Sequence, residues 1–386
     1  MRSTCQEIQM GMYERGLDQR LPVSFEEWEA EARKILAAGP FDYVSGAAGA
    51  GDTFRANLDA FQRVRIFPRV CTDISHRDLS IQLFGKTLPY PFLLAPVGVN
   101  SIVHPDAELA PARAAAKLGI PYVLSNVSTV PMEKIAEAMG NALRWFQLYP
   151  QKDQELAKSL IRRAEAAGYS ALVVTIDSTL LGWREKDLRN GYLPFLRGEG
   201  LGNYFSDPVF QRKYGALHEE NLKEACKIAL EEGNNTCFTW AELDKIRELT
   251  TLPLLLKGLT HPDDALLAIE HGVDGIIVSN HGGRQLDGAV ATLEVLPLIV
   301  KKVAGKVPVL LDSGIRRGAD VIKAIALGAT AVLIGRPNVY GLAVAGETGV
   351  KEVLEHFIAE TELQLAIAGR SAIQTLDESI LFQNNG

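Results

Sequence analysis

Eight short apolar runs, each closing on a polar or glycine-rich turn and each followed by a stretch with helical spacing, constrain this chain more than any other feature. They are Phe92-Leu93-Leu94-Ala95, Tyr122-Val123-Leu124-Ser125, Leu143-Arg144-Trp145-Phe146-Gln147, Ala171-Leu172-Val173-Val174-Thr175, Leu254-Leu255-Leu256-Lys257, Gly275-Ile276-Ile277-Val278-Ser279, Val309-Leu310-Leu311-Asp312 and Ala331-Val332-Leu333-Ile334-Gly335. A strand that is apolar at nearly every position has both faces buried, the situation of a parallel sheet covered by its crossover helices. Most successive runs start roughly 20 to 35 residues apart, the length of one βα unit. Eight such units fit an α/β fold of the (β/α)8 type, a TIM barrel. A doubly wound open sheet uses the same units but more often carries a phosphate turn after its first strand, and none follows Phe92-Leu93-Leu94-Ala95.

The flanks of this pattern divide the chain. Residues 1–90 read as a helical lead-in, because Ser24-Phe25-Glu26-Glu27 has the form of a capped first turn and Trp28, Ala32, Ile35 and Leu36 recur at helical spacing. Residues 91–386 are then the barrel. Its rhythm breaks once, in an insertion at about residues 181–251 after the fourth run, which contains Gly191-Tyr192-Leu193-Pro194, Gly198-Glu199-Gly200-Leu201-Gly202 and a charged helical stretch from Glu219 to Glu232. A long loop after strand four overhangs a barrel mouth, so this segment is a candidate lid, with Gly191, Gly198, Gly200 and Gly202 as candidate hinges.

Charge narrows the partners. With 40 Lys and Arg against 47 Asp and Glu the formal charge is −7, and no basic run is dense enough for a nucleic-acid surface. An anionic substrate therefore needs a local cluster of Arg or Lys. Cys5, Cys71, Cys226 and Cys237 form no C-x-x-C pair, which reads as reduced thiols without a metal. Met1 to Arg20 has no signal-like apolar core, no stretch of 18 apolar residues occurs, and Gln383-Asn384-Asn385-Gly386 is no peroxisomal address, so no membrane span and a cytoplasmic location are expected.

Barrel chemistry sits at the C-terminal ends of strands. In order those ends are Ala95-Pro96, Ser125-Asn126, Gln147 with Tyr149, Thr175 with Asp177, Lys257-Gly258, Ser279-Asn280-His281, Asp312-Ser313-Gly314 and Gly335-Arg336. The turns Asp312-Ser313-Gly314-Ile315-Arg316-Arg317-Gly318 and Ile334-Gly335-Arg336-Pro337 follow strands seven and eight, where barrels commonly hold phosphate through backbone N–H groups, and this implies a cofactor phosphate. His281 stands at a strand end before two glycines, with Arg284 three residues on, which pairs a base with a carboxylate-binding cation. No H-x-H or H-E-x-x-H pattern gives it metal-binding company. Asp177 either orients that imidazole or caps its own turn, and Arg184 is either a second substrate cation or one member of a solvated charge run. Lys257, costly to bury unpaired, either reaches solvent or serves an anionic group such as a reduced flavin.

The run Ser279-Asn280-His281-Gly282-Gly283-Arg284-Gln285 is very similar to the active-site signature of FMN-dependent 2-hydroxy-acid oxidases and dehydrogenases. The resemblance extends through Phe41-Asp42-Tyr43, Leu94-Ala95-Pro96, Phe146-Gln147-Leu148-Tyr149, Lys257-Gly258, Asp312-Ser313-Gly314-Ile315-Arg316 and Gly335-Arg336-Pro337, nearly the whole chain. It implies His281 as catalytic base with Asp177 as its partner. Arg284, Arg184 and Tyr43 would hold the substrate carboxylate, with Tyr149 near the reacting carbon. FMN would be bound by Ala95, Pro96, Val97, Gly98, Ser125, Gln147, Thr175, Lys257, Ser279, Asp312, Gly314, Arg316, Gly335 and Arg336. The implied reaction takes an L-2-hydroxy acid to a 2-keto acid with O2 or another acceptor, in a homo-oligomer of four or eight chains.

Within that family the chain most resembles lactate 2-monooxygenase, which retains pyruvate until peroxide converts it to acetate and carbon dioxide. The matching stretches are Gly182-Trp183-Arg184, Phe195-Leu196-Arg197-Gly198, Asn203-Tyr204 with Asp207-Pro208-Val209-Phe210, and His261-Pro262-Asp263-Asp264-Ala265. Gly98 in Ala95-Pro96-Val97-Gly98 agrees, since lactate oxidases resemble this segment with Ala there. Gln285-Leu286-Asp287-Gly288 instead resembles the simple oxidases, which release pyruvate and hydrogen peroxide.

Overall fold

A strand inside a parallel sheet bonds to a neighbour on each side, and all eight apolar runs do so. In the computed structural model, which describes residues 4–16 and 21–383, they are β1 (Phe92–Leu94), β2 (Tyr122–Leu124), β3 (Arg144–Leu148), β4 (Leu172–Thr175), β5 (Leu254–Leu259), β6 (Gly275–Val278), β7 (Val309–Leu311) and β8 (Ala331–Ile334). The sheet runs in sequence order and closes where β8 meets β1, with Val332 opposite Phe92 and Ile334 opposite Leu94. Every residue of β1, β2, β4, β6, β7 and β8 is buried, which is why these runs lack the alternation of a half-exposed strand.

The helices that follow the strands are α1 (Leu109–Leu118), α2 (Met132–Met139), α3 (Gln154–Ala166), α4 (Trp240–Leu249), α5 (Pro262–Glu270), α6 (Thr292–Val303), α7 (Gly318–Ala326) and, after β8, α8 (Arg336–Ile367), the last broken at Ala345 and Gly346. Among the described residues no helix is long and apolar enough to cross a membrane. The sequences at Met1–Arg20 and Gln383–Gly386, considered above for targeting, fall partly outside the described residues.

The segment before β1 contains helices Thr4–Arg15, Phe25–Ile35, Ala38–Ser45 and Asp52–Arg63. The expected cap is present: Glu27 N donates to Ser24 Oγ at 3.2 Å and Ser24 N donates to Glu27 Oε2 at 3.2 Å. The segment is not helical throughout, however. Val64–Ile66 pairs antiparallel with Leu381–Gln383, and Ile81–Leu83 pairs with Lys86–Leu88 through a two-residue turn at Phe84-Gly85, both with positive φ. The Phe84 ring lies 5.7 Å from that of Trp145 and against the start of β6 at Gly275, so the hairpin tip closes the N-terminal end of the barrel.

Between β4 and α4 the chain is more helical than its sequence suggested, with Glu185–Arg189, Pro194–Arg197, Gly202–Phe205, Pro208–Glu220 and Leu222–Gly233. The charged stretch expected as one helix from Glu219 to Glu232 is two. Asn221 leaves helical conformation (φ −146°, ψ 79°), and its side chain caps the second helix by accepting from Glu224 N at 3.3 Å.

Candidate active site

His281 takes its position from the backbone. It follows β6 in a left-handed conformation (φ 57°), as does Ser313 after β7 (φ 73°), and Gly282 N donates to Ser313 Oγ at 2.9 Å. Two non-glycine residues held in this costly region on adjacent strand ends mark a constrained site. The turn is pinned from the side by reciprocal amide bonds between Asn57 and Asn280 at 2.9 and 2.8 Å, which dock helix Asp52–Arg63 onto it. His281 Nδ1 lies 2.8 Å from Asp177 Oδ1 and 3.0 Å from Ser178 Oγ, while the Ser178 hydroxyl donates to the same Asp177 oxygen at 2.8 Å. Both neighbours of Nδ1 can accept a hydrogen bond, so the proton resides there and Nε2 carries the free lone pair.

Burial pushes the His281 pKa below the ordinary imidazole value, Lys257 and Arg184 add to this, and Asp177 opposes it. Burial disfavours charge on Asp177, but His281 and Lys257 outweigh it and hold the carboxyl at about 2. The resting pair is therefore a carboxylate and a neutral imidazole. Lys257, buried at the end of β5, donates to Ser279 Oγ at 2.9 Å and lies 3.3 Å from Asp312 Oδ2. Burial opposes its charge, yet Asp312 and Asp177 leave its pKa raised, so it does not reach solvent but stays a buried cation.

The guanidiniums converge on the same cavity without neutralising partners. Arg184, 6% exposed, donates to Arg284 O at 3.2 Å and Gln285 Oε1 at 2.8 Å. Arg284 donates to Tyr43 O and Gly46 O at 2.5 and 3.1 Å and lies 4.9 Å from the Tyr43 ring centre. Arg336 donates to the carbonyls of Val44, Gly282 and Gly46 at 2.9, 3.1 and 2.7 Å. Among the described residues none of Arg184, Arg284, Arg316 and Arg336 forms a salt bridge. Burial lowers the pKa of Arg284, with Arg184 reinforcing the effect, and burial likewise lowers those of Arg316 and Arg336. These cations are held by carbonyls, the Gln285 amide oxygen and aromatic faces rather than by carboxylates, which leaves them available to an anionic ligand.

The cavity, about 300 Å³, is lined by Tyr43, Ala95, Pro96, Val97, Gly98, Tyr149, Arg184, Lys257, His281, Arg284, Asp312, Gly314, Arg316, Gly335 and Arg336. Ser125, Gln147, Thr175 and Ser279 lie beneath it, fully buried at the strand ends, with Thr175 opposite Lys257 in register. Gln147 Nε2, Thr175 Oγ1 and Arg316 Nε have no partner among the described residues, although buried. Such orphans are expensive unless a ligand completes them. A flavin mononucleotide suits this donor set: amide, hydroxyl and ammonium groups stand on β3, β4 and β5, and Arg316, Arg336 and glycine-rich turns follow β7 and β8. Burial and then Asp177 raise the pKa of Tyr149, so its hydroxyl remains protonated.

Leu193, Phe195, Leu201, Tyr204, Ala229, Leu230 and Gly233 of the inserted segment form the apolar wall. Part of this wall is tied to the barrel: Gly200 N donates to Thr129 Oγ1 at 3.0 Å, Gly202 N to Ser128 O at 2.9 Å, and Asn203 Nδ2 to Asn126 O at 3.0 Å. A Cβ on Gly202 would meet Thr129 O at 2.2 Å, so this glycine serves close packing and is no hinge. Two other residues bear on the site and were not assigned roles from sequence: Ser178, and Gln285, which bonds to four points on the turn after β4.

Residues 32–383 match the FMN-dependent dehydrogenase family. The chain is 46% identical over 365 residues to an L-lactate oxidase of Lysinibacillus sphaericus, covering 95% of this chain and 94% of the relative. It is 39% identical to 2-Hydroxyacid oxidase 1 of Mus musculus, covering 94% and 97%. Among solved structures, an active chimera of (S)-mandelate dehydrogenase is similar with a TM-score of 0.85 at 38% identity, covering 94% of this chain and 99% of the other. A mandelate oxidase with (S)-2-phenylpropionate gives 0.82 at 37%, covering 95% and 99%. An (α/β) barrel with a half-buried His–Asp pair, cations without salt-bridge partners and orphaned donors thus has relatives along nearly its full length, and the chain belongs to the FMN-dependent dehydrogenase family, as an oxidoreductase that oxidises 2-hydroxy acids with FMN.

Proposed function

We propose that the protein oxidises L-lactate with O2 and retains the pyruvate until hydrogen peroxide converts it, so that lactate and O2 yield acetate, carbon dioxide and water. The observation that carries the substrate reading is the group of buried and half-buried guanidiniums without carboxylate salt-bridge partners beside a neutral imidazole. Arg184, Arg284 and Tyr43 bind the substrate carboxylate, and Tyr149 bonds near the reacting carbon. His281 Nε2 takes a substrate proton, and the Asp177 carboxylate stabilises the imidazolium that results. FMN would be held by Ala95, Pro96, Val97, Gly98, Ser125, Gln147, Thr175, Lys257, Ser279, Asp312, Gly314, Arg316, Gly335 and Arg336, and it supplies the two-electron acceptor. Lys257, kept cationic, favours negative charge on that acceptor.

Retention is supported by the tethered wall from Gly200 to Asn203, which encloses the site from above. Release of pyruvate and hydrogen peroxide is the second reading. It is favoured by the similarity to an L-lactate oxidase and by the open rim, where Leu180, Leu181 and Trp183 are 64%, 52% and 71% exposed. A homo-oligomer of four or eight chains, which light scattering would count, and a cytoplasmic location are part of the same proposal. Product analysis with L-lactate under air tests the reading: acetate and carbon dioxide are expected, and stoichiometric hydrogen peroxide would establish the simple oxidase instead.

A further inference from the structure

The turn after β4 is poorly anchored by its own backbone. Among the described residues, the sole backbone-to-backbone hydrogen bond made by residues 177–183 runs from Gly49 N to Trp183 O at 2.8 Å. Yet this stretch begins with Asp177 and leads directly into Arg184, two groups whose placement must hold to a fraction of an ångström if they act on one small substrate. A single side chain supplies the missing bonds. The Gln285 amide nitrogen donates to Asp177 O at 3.1 Å and to Leu180 O at 2.8 Å, while its oxygen accepts from Gly182 N at 3.3 Å and from Arg184 Nη2 at 2.8 Å. The amide orientation is fixed by these partners, since carbonyls can only accept and the N–H groups can only donate.

The contact is close. A Cβ on Gly182 would meet Arg284 O at 2.3 Å and Gln285 Cα at 2.8 Å, so the turn lies directly on the backbone that carries Arg284 and Gln285. Arg184 completes the link by donating through Nε to Arg284 O at 3.2 Å. The two guanidiniums would repel each other in a buried site unless each is tied to fixed acceptors, and for Arg184 one of those two acceptors is the Gln285 oxygen.

We propose that Gln285 is a positioning residue: it clamps the Asp177–Gly182 turn and the Arg184 guanidinium onto the loop after β6, presenting Arg184 and Arg284 as a preformed pair to the carboxylate. The inference rests on the reading of Arg184 as a carboxylate partner. Gln285 touches no reacting atom; it acts through Arg184 and through the turn.

The test uses the FMN-loaded enzyme, with pyruvate affinity measured by calorimetry beside KM, kcat and Tm. Gln285→Met keeps the side-chain volume and loses all four bonds. It should bind pyruvate on the order of tenfold more weakly and raise KM by a similar factor, with a smaller change in kcat and Tm within a few degrees of the parent. Gln285→Glu keeps an acceptor for Gly182 N and Arg184 but replaces the donating amide nitrogen with an oxygen that faces the Asp177 and Leu180 carbonyls. When ionised it pairs with Arg184 and competes with substrate, so pyruvate binding should strengthen as pH falls, more steeply than in the parent or Gln285→Met. Pyruvate affinity and KM in Gln285→Met within about twofold of the parent would overturn the assignment. Should Gln285→Met not fold, a Gln285→Glu variant with the parent's pH dependence would overturn it, and failure of both to fold would make Gln285 a structural residue instead. Arg184→Lys separates the two levels. Unchanged pyruvate affinity there removes the carboxylate reading of Arg184 itself, whereas weakened binding in Arg184→Lys with none in Gln285→Met removes only the role of Gln285.

Discussion

The cavity has two walls held by different means. On the barrel side, Lys257, Ser279, Asp312, Ser313 and His281 stand on adjacent strand ends and are interlocked by hydrogen bonds of 2.7 to 3.1 Å among buried or half-buried groups. On the inserted side, residues 200–203 are tied to the loop after β2, but Leu180, Leu181 and Trp183 project into solvent from a turn fastened mainly by one glutamine. His281 and Lys257 thus sit on the rigid wall, whereas Asp177 and Arg184 flank the turn that Gln285 fastens, beside the exposed apolar rim. This division matches the general tolerance of barrels for new loops over a constant strand framework.

The comparison breaks most sharply at His281. His281→Ala should retain FMN, because the phosphate turns and strand-end donors are untouched, while flavin reduction by L-lactate slows by about 10³-fold or more. Rapid reduction in that variant would remove the barrel wall's claim to the chemistry. Arg284→Lys comes next. A point charge replaces a planar fork that now reaches two carbonyls and an aromatic face, and kcat/KM should fall by about 2 kcal/mol or more of transition-state binding. An unchanged kcat/KM would count against Arg284 as a carboxylate partner.

A smaller effect comes from pH. If His281 is the base in the proposed reaction, its neutral form is the active one; burial lowers its pKa, so reduction should be constant at neutral pH and decline only as pH falls through a value below 6.5. An acid limb centred above 6.5 would mean that Asp177 dominates the burial of the imidazole. On the inserted wall, Gly202→Ala forces a methyl against Thr129 O and Ser128 O and should cost about 1–3 kcal/mol of stability, read as a lower Tm. It should also shift products from acetate toward pyruvate and free peroxide; acetate formation equal to the parent's would show that this tether does not control retention.

The barrel was legible in sequence because burial of both faces leaves continuous apolar strands, and because the polar residue closing each strand must face the mouth. His281, Lys257, Arg316 and Arg336 could therefore be located before any contact was known. The hairpin at Ile81–Leu88 was missed although it alternates and turns at Phe84-Gly85, because three-residue strands give too few repeats to separate a period of two from helical spacing. The tethers of Gly200, Gly202 and Asn203 were not legible at all. They join residues more than 70 positions apart, and the glycines looked like hinges where they are in fact points of close approach. Gln285 lay inside the recognised motif, but its four partners lie over 100 residues earlier, and nothing in local spacing ties them together.

Anaerobic titration of the purified holoenzyme with L-lactate, followed by flavin absorbance and pyruvate analysis, tests the central claim most directly. Bound FMN should bleach fully, with one pyruvate formed per flavin, since the site is read as built for a small 2-hydroxy acid whose carboxylate meets Arg184 and Arg284 and whose proton goes to His281. An FMN spectrum that stays oxidised at saturating L-lactate, with no pyruvate formed, would contradict the account.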